Sequence, residues 1–313
     1  MKKIWLFTLI GLTAVFVIGC NKTTDEENIQ TLLEESQYIG ESSLRISNDS
    51  TITPQSPANP FMLATDTFPI AVKWSRNVVT PITWNYNISV TGDSADVTIT
   101  VYFHGGPGLT NEDNYGFFVD NAYGVFQRSI TDSALQEIKL ANDENGWHIV
   151  SLTAANIYTV GSANPITITN ITATVARRNY TFTITDPSAF YTKSTLPTFE
   201  PNDTIEVAVT LSVAGDSAWA FLHHGAGHRP GFGLRHHHRD PFYRDNVSTF
   251  QRSWIVSADS IPNGYGVRHA AVDVVSWQAL FGDSTGTYHA RVWALPYIVK
   301  TASQEIPPDT ISE

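Results

Sequence analysis

The sequence predicts an all-β protein built from two tandem antiparallel β-sandwich domains. Apolar and polar residues alternate over 82–90 and over 205–213, and a period of two with one apolar face indicates half-buried strands. Only 16% of the residues are charged, against about 25% in an average soluble protein. Thr, Ser, Asn, Gly and Pro are plentiful, which favours strands and turns over helical bundles. An internal repeat supplies the division into two domains.

The repeat consists of short segments that recur in order at nearly one spacing. The pairs are Ser89–Ala95 with Ser212–Ala218, Phe126–Ser129 with Phe250–Ser253, and Ile149–Ser151 with Val274–Ser276. A period of 123 to 125 residues is too long for a solenoid repeat, so each copy is expected to be a whole domain. We therefore predict β-sandwich domains at residues 65–186 and 187–301.

Several strands per domain, joined by hairpin turns, are typical of antiparallel sandwiches. The architecture resembles the immunoglobulin-like sandwich, although the Cys and Trp pattern of antibody domains is missing, and a jelly roll is the alternative. Four tryptophans are expected in the cores and not on ligand-binding surfaces: Trp84, Trp254, Trp277 and Trp293.

The N-terminal residues 1–19 have the features of a secretory signal peptide. A basic start precedes an apolar run over residues 4–18, which is shorter than the roughly 20 residues that span a bilayer. Val17-Ile18-Gly19-Cys20 resembles the lipobox of bacterial lipoproteins, which implies that Cys20 is acylated and begins the mature chain. Cys20 is the only cysteine, so lipidation also accounts for a thiol that has no disulfide partner.

Residues 20–64 are predicted to form a lipidated, largely disordered tether, and residues 302–313 a flexible tail. The acidic cluster Asp25-Glu26-Glu27 resembles the surface-export signal of Bacteroidetes lipoproteins, and the alternative is that these residues solvate the tether. One short helix is expected where Ile29, Leu32 and Leu33 fall at helical spacing. The expected location is the outer membrane or cell surface, with the membrane as a partner through the lipid.

Two motifs suggest a serine hydrolase. His104–Gly108 resembles the oxyanion loop of prolyl iminopeptidases, and Gly282–Gly286 matches the Gly-x-Ser-x-Gly nucleophile elbow. The elbow requires a strand, a sharp turn and a helix, with the acid and the His following the Ser. Ser284 is instead followed by a strand pattern, and His289 alone lies beyond it. We therefore predict that both motifs are coincidental and that the protein is not an enzyme.

A His-rich stretch suggests metal binding. Six of the ten histidines lie close together: His223, His224, His228, His236, His237 and His238. Neutral imidazole binds zinc and copper, and three or four such groups close a site. The alternative is a flexible loop that binds metal only incidentally. No other cofactor is predicted.

The same stretch combines arginine with aromatic residues, the composition of binding hot spots. Loops on a rigid sandwich are where binding usually resides. The candidate binding residues are Arg229, Arg235, Arg239, Phe242 and Tyr243, with Tyr115, Phe117 and Phe118 in the equivalent loop of the first copy. The alternative is that the two loops pack on each other and fix the domain pair.

The formal net charge of −11 argues against nucleic-acid binding, because that affinity comes from lysine and arginine on phosphates. The main hypothesis is a membrane-anchored binding or adhesion module for a glycan or protein partner. Zinc or copper capture through residues 223–238 and a purely structural spacer are the alternatives.

Overall fold

The computed structural model describes residues 24–39, 72–79, 82–106, 116–161, 164–212, 218–226, 238–246, 248–258 and 265–301. Residues 1–19, for which a signal peptide is predicted, Cys20 and the predicted tail 302–313 lie outside these ranges. The helices in the described part are α1 (Asp25–Glu35), α2 (Trp277–Phe281) and a 3-10 helix (Ala176–Arg178). None of them is long and apolar enough to cross a membrane.

Nineteen strands make up most of the described chain. In chain order they are β1 (Lys73–Asn77), β2 (Thr83–Thr91), β3 (Ser94–Gly105), β4 (Gly116–Asn121), β5 (Gly124–Arg128), β6 (Ile130–Asp143), β7 (Gly146–Thr153), β8 (Ala155–Thr159), β9 (Ile168–Val175), β10 (Tyr180–Ile184), β11 (Phe190–Thr192), β12 (Thr198–Phe199), β13 (Thr204–Leu211), β14 (Ala218–Ala226), β15 (His238–Pro241), β16 (Tyr243–Arg244), β17 (Thr249–Ile255), β18 (Tyr265–Ser276) and β19 (Ala290–Lys300).

The strands form three sheets, which confirms the all-β, antiparallel prediction. Eleven strands form a central sheet, with β3, β6, β8, β19, β18, β14 and β15 side by side in that order. In this sheet β2 pairs with β3, β7 joins β6 to β11, and β12 makes a short parallel pair with β19. A three-stranded sheet has the order β1-β4-β5, and a five-stranded sheet has the order β10-β9-β13-β17-β16.

At β14 and β18, the central sheet lies between the three-stranded sheet on one face and the five-stranded sheet on the other. Neighbouring residues of a strand point to opposite faces. On β18, Asp273 binds Arg76 of the three-stranded sheet, while Val272 lies in a cavity with Trp254 of the five-stranded sheet. Strands covered on both faces need apolar side chains on both, and residues 292–299 of β19 are all buried.

The predicted division into two tandem sandwiches is not confirmed, because strands from both halves pair with each other. β8 pairs with β19 from Ala155 to Tyr158, and β9 pairs with β13 along Glu206–Leu211. The two larger sheets therefore contain strands from both sides of residue 187. β8 pairs with β6 on one side and with β19 on the other, and β9 joins the β9–β10 hairpin to β13, so both halves of the chain contribute to each of these sheets.

The repeat is preserved most clearly in one pair of hairpin strands. Phe118 on β4 lies opposite Gln127 on β5, and Tyr243 on β16 lies opposite Gln251 on β17. The other matches diverge in structure. Ser89–Ala95 spans the turn of the β2–β3 hairpin, whereas β13 and β14, which flank the second copy of that segment, belong to different sheets.

The short helix predicted near the N-terminus is confirmed as α1, and it packs on the β-sheet body. Ile29 and Leu33 are buried, and the helix contacts β2 and β7. Just beyond it, the Tyr38 hydroxyl hydrogen-bonds the Tyr265 hydroxyl, and His269 Nε2 lies 2.8 Å from the Gln37 carbonyl oxygen. Residues 24–39 therefore belong to the folded body, which corrects the predicted tether over this range.

The acidic cluster forms the first turn of α1. Thr24 and Glu27 cap the helix reciprocally: Glu27 N donates to Thr24 Oγ1 at 3.2 Å, and Thr24 N donates to Glu27 Oε2 at 3.1 Å. Carboxylates in a first turn also favour the positive end of the helix dipole. Trp147 Nε1 donates to Asp25 at 3.2 Å, so this cluster has a structural role in addition to any role in export.

Replacing Leu33 with alanine tests whether α1 is part of the fold. Leu33 is 1% exposed, and removing a buried leucine side chain costs about 2 to 5 kcal/mol of unfolding free energy. Glu34→Ala, at the exposed neighbouring position, is the matched control and is expected to cost less than about 0.5 kcal/mol. Urea unfolding followed by tryptophan fluorescence measures both, and equal small effects would mean that α1 does not contribute to the core.

Candidate functional site

Three of the predicted binding residues lie in the core and not on an exposed loop. Phe117 and Phe242 are fully buried. The Arg239 guanidinium lies 3.7 Å from the centre of the Trp74 ring, and Arg239 Nη2 donates to the Trp74 carbonyl oxygen at 2.7 Å. These three side chains make core contacts in this structure, because an arginine packed on aromatic rings has the same residue composition in a core as in a binding hot spot.

Phe118 and Tyr243 are half-buried and occupy equivalent positions of the repeat. The Tyr243 hydroxyl accepts a hydrogen bond from Arg252 Nη1 at 2.6 Å. Phe118 lies on β4 of the three-stranded sheet, and Tyr243 lies on β16 of the five-stranded sheet. Three further candidates, Arg229, Arg235 and Tyr115, lie outside the described residues.

His223 and His224 point to opposite faces of the central sheet. His223 Nε2 lies 3.1 Å from Asp273 Oδ2 on the side of the three-stranded sheet. His224 Nε2 lies 3.1 Å from Asp240 Oδ2, and its ring stacks on Trp254 at 5.3 Å on the other side. The two side chains therefore do not contribute to one metal site.

The rest of the His-rich stretch connects β14 to β15, since His238 lies opposite His224 in the backbone register. His228, His236 and His237 lie outside the described residues. The described part of the chain contains no group of three or more side chains placed to hold a metal ion. Metal capture therefore remains a prediction about the connection itself.

Glycines of the two hydrolase-like motifs are explained by close packing. A Cβ on Gly105 would lie 2.6 Å from the Asn77 carbonyl oxygen and 2.8 Å from Gly116 N, so the backbones meet there without room for a side chain. The Gly282–Gly286 turn follows α2 and wraps around the side chain of Arg128. Arg128 donates to backbone oxygens of Gln278, Ala279, Gly282, Asp283 and Gly286.

A buried network of charged and polar side chains joins the three-stranded sheet to the central sheet. Arg76 Nη1 and Nη2 donate to the two oxygens of Asp273 at 2.8 and 3.0 Å, and the two side chains are 5% and 0% exposed. Asp132 lies close by and accepts hydrogen bonds from Tyr288 at 2.7 Å and Thr159 at 2.8 Å. Arg76 also lies over the Tyr288 ring at 5.6 Å.

The two carboxylates of this network have opposite pKa shifts. Burial alone would raise the pKa of Asp273, but the charge of Arg76 and the hydrogen bonds from His223 and Arg76 hold it well below the usual range. Burial raises the pKa of Asp132, and the charge of Arg76 with the Tyr288 and Thr159 hydrogen bonds offsets this only in part. Asp273 is thus ionised, while Asp132 resists ionisation.

Sequence reasoning missed this network, although one signal was present. Asp273 interrupts the apolar run Ala270-Ala271-Val272 and Val274-Val275. A single carboxylate within such a strand requires a buried partner, because an unpaired buried charge is costly. The partner, Arg76, is nearly two hundred residues away, and no local pattern identifies it.

An apolar cavity lies between the five-stranded sheet and the central sheet, and we call it the inter-sheet cavity. Its volume is about 60 Å³. Phe182 and Trp254 line it from one sheet, and Leu222, Trp293 and Tyr297 line it from the other. Burial raises the pKa of Tyr297, so the cavity wall is uncharged. All fifteen lining residues are apolar or aromatic.

One end of the inter-sheet cavity is formed by an edge strand. Phe182 on β10 is the one large lining residue that is half-buried, and β10 is the terminal strand of the five-stranded sheet. Trp254 and Trp293 were correctly expected to be largely buried, but the cavity beside them depends on how two sheets pack. No single stretch of sequence contains that information.

No protein-family model matches the chain, and no curated protein matches it. The candidate sites are therefore judged on their geometry alone.

The two buried carboxylates give a matched pair of predictions. Asp273→Asn leaves Arg76 buried without its counter-charge, which is expected to cost about 3 to 5 kcal/mol near neutral pH. Asp132→Asn removes a carboxylate whose ionisation is already disfavoured, so the cost at the same pH is expected to be less than half as large. Urea unfolding between about pH 3 and pH 8 measures both variants, so that the range extends below the unfolded carboxyl pKa of about 4.

The pH dependence of the two variants is expected to differ in sign. Because the pKa of Asp273 is lower in the folded than in the unfolded protein, Asp273 stabilises the fold at pH values above its unfolded pKa of about 4. This stabilisation is lost as the pH falls below that value. The raised pKa of Asp132 contributes stability that is lost as the pH rises. The unfolding free energy of Asp132→Asn should therefore rise, relative to that of the parent protein, from pH 4 to pH 8. Parallel profiles for both variants would contradict the assignment.

Proposed function

We propose that this protein is a lipid-anchored binding protein without catalytic activity, and that its partner is a protein that inserts an apolar side chain into the inter-sheet cavity. The observation that carries the proposal is the chemistry of that cavity. Concave sites lined mainly by hydrophobic and aromatic groups are the usual places where proteins receive ligands. Phe182, Trp254 and Trp293 provide such a lining here.

The size of the cavity favours a single anchoring side chain. One water molecule occupies about 10 to 15 Å³ when a cavity is measured as the space open to a water-sized sphere. A cavity of about 60 Å³ therefore accepts on the order of five heavy atoms. A leucine side chain or part of an aromatic ring matches this volume, and a long-chain lipid does not. Buried anchors of this kind dominate the binding energy of protein interfaces.

The lining also favours a protein partner over a glycan. Sugar hydroxyls that leave water need hydrogen-bond partners, because an unpaired buried polar group costs about 1 to 3 kcal/mol. Apolar walls around Leu222, Val272 and Leu295 supply none. The glycan alternative would need a separate site on the protein.

Membrane anchoring rests on the lipobox and on the position of Cys20. Acylation at Cys20 would place the anchor five residues before α1 begins at Asp25. Extended chain covers at most about 3.6 Å per residue, so the folded body would lie within roughly 18 Å of the lipid surface. We propose the outer membrane or cell surface as the location.

Metal capture and a spacer role remain alternative proposals. Zinc or copper binding would use the connection between β14 and β15, whose sequence contains His228, His236 and His237. A spacer would have no ligand in the inter-sheet cavity, which separates it from the main proposal.

Filling the inter-sheet cavity tests the proposed function. Ala270→Leu adds an apolar side chain at the cavity wall and is expected to weaken binding of small apolar probes at least tenfold while the fold is retained. Saturation-transfer NMR on the full-length protein in lipid nanodiscs measures binding of toluene and indole, with glucose as the polar comparison. Toluene and indole represent Phe and Trp side chains, and only part of either ring would enter the cavity while the rest stays outside it.

Ala122→Leu is the matched control, because Ala122 is exposed in the β4–β5 turn. This variant should bind toluene and indole like the parent protein. Thermal unfolding checks that both variants are folded. Equal binding of toluene by the parent and by Ala270→Leu, or a preference for glucose, would refute the proposed cavity function.

Removing the thiol tests the anchor. Cys20→Ala is expected to abolish incorporation of radiolabelled palmitate and to prevent processing at the lipobox, because no other cysteine exists in the chain. Labelling of expressing cells followed by electrophoresis measures this. Palmitate incorporation that persists in the variant would exclude Cys20 as the acylated residue.

A further inference from the structure

The free edge of β10 lies beside the inter-sheet cavity and offers a second means of holding a partner. Building on the proposed function, we infer that the partner presents an extended segment that adds to β10 as a new antiparallel or parallel strand. Alternate side chains of that segment would then enter the inter-sheet cavity. The segment thus carries apolar residues at every second position.

β10 is the terminal strand of its sheet. All five of its residues, Tyr180 to Ile184, pair with β9 in an unbroken register, and the strand order ends there. Within the described part of the chain, no strand pairs with the other side of β10. An edge strand presents a row of unpaired N–H and C=O groups, which is a template for another chain.

β10 itself carries no charge, proline or bulge that would protect this edge. Natural proteins block edges with charged residues, proline, bulges or a covering element. The β10 sequence Tyr-Thr-Phe-Thr-Ile contains no charge and no proline, and its pairing with β9 contains no bulge. The opposite edge of the same sheet differs, because β16 contains Arg244 and follows Pro241 closely.

The strand edge and the cavity are continuous. Phe182 and Ile184 line the inter-sheet cavity, while Thr181 and Thr183 are exposed on the other face. Residues directly opposite each other on paired strands share a face. A residue placed opposite Phe182 therefore points towards the cavity, and its neighbours in the segment point to solvent. Main-chain bonds then provide affinity and the cavity provides specificity.

The charge of the protein adds one further feature of the partner. The chain carries a formal net charge of −11, so basic residues that flank the extended segment would speed association at low salt. The occupant is therefore an extended, neutral or basic segment with alternating apolar and small polar residues.

A synthetic peptide tests this inference directly. The probe is fluorescein-labelled Lys-Thr-Val-Thr-Phe-Thr-Val-Thr-Lys, titrated with the full-length protein in lipid nanodiscs and followed by fluorescence polarisation. N-methylation of single peptide bonds removes one donor at a time. We expect methylation at every second residue to weaken binding at least tenfold, and methylation at the intervening residues to weaken it less than twofold. Replacing the central Phe with Ser should also cost at least tenfold.

Amide hydrogen exchange provides the second measurement. The peptide should slow exchange at alternate residues of Tyr180–Ile184, because only the outward N–H groups gain a partner. Ala270→Leu should weaken binding of the peptide, whereas Ala122→Leu should not. The absence of an alternating pattern in both measurements would overturn strand addition. So would a dimer of the protein, detected by sedimentation, that the peptide cannot dissociate, because β10 would then bind a second copy.

The two proposals fail in different ways. Binding of toluene and indole without a periodic response to N-methylation would overturn strand addition and leave the cavity function intact. Failure of toluene, indole and the peptide alike would overturn both.

Discussion

The ion pair between Arg76 and Asp273 determines how the three-stranded sheet lies on the central sheet. Both charges are buried, so neither can exchange its partner for water at low cost. A slip of β1 by one residue would move Arg76 to the opposite face and leave Asp273 uncompensated. Ring contacts between Trp74 and Phe221 and between Phe117 and Tyr288 depend on the same alignment. The ion pair therefore specifies the register of β1 more than it adds to the free energy of unfolding, since the attraction within a buried ion pair barely offsets the cost of removing both charges from water.

The alignment of the central sheet on the three-stranded sheet also determines which side chains of the central sheet face the five-stranded sheet. With Asp273 turned to the three-stranded sheet, Val272 must face the five-stranded sheet, where large Trp254 and Trp293 side chains meet small Ala173 and Ala270. Protein interiors are normally packed without such gaps, and a gap sacrifices contacts among the atoms that line it. The gap in this protein lies beside an unprotected edge strand. A partner strand would complete the packing and the hydrogen bonding in one step.

Sequence patterns predicted local structure well and long-range pairing poorly. Alternation over β2 and β13 and the helical spacing in α1 each depend on a few neighbouring residues, and the structure contains all three elements. The division at residue 187 is not confirmed, because β8 and β9 each pair with a strand from the other side of that residue, and no local pattern shows such a pairing. Arg239 and Phe242 were taken for a surface because composition does not distinguish a buried cation–π contact from an exposed one. Phe182 and the cavity had no local signal, because two sheets form them together.

The position of α1 determines how far the folded body would lie from an anchor at Cys20. α1 packs on β2 and β7 and is hydrogen-bonded through Trp147, so the folded body begins at this helix. With an anchor at Cys20, the body would rest close to the membrane, and a partner would have to approach there. The β14–β15 connection, by contrast, begins from a base in which His223 and His224 each contact a carboxylate. Metal capture would therefore rely on residues beyond that base, and it would leave the edge of β10, on another sheet, free to bind a strand.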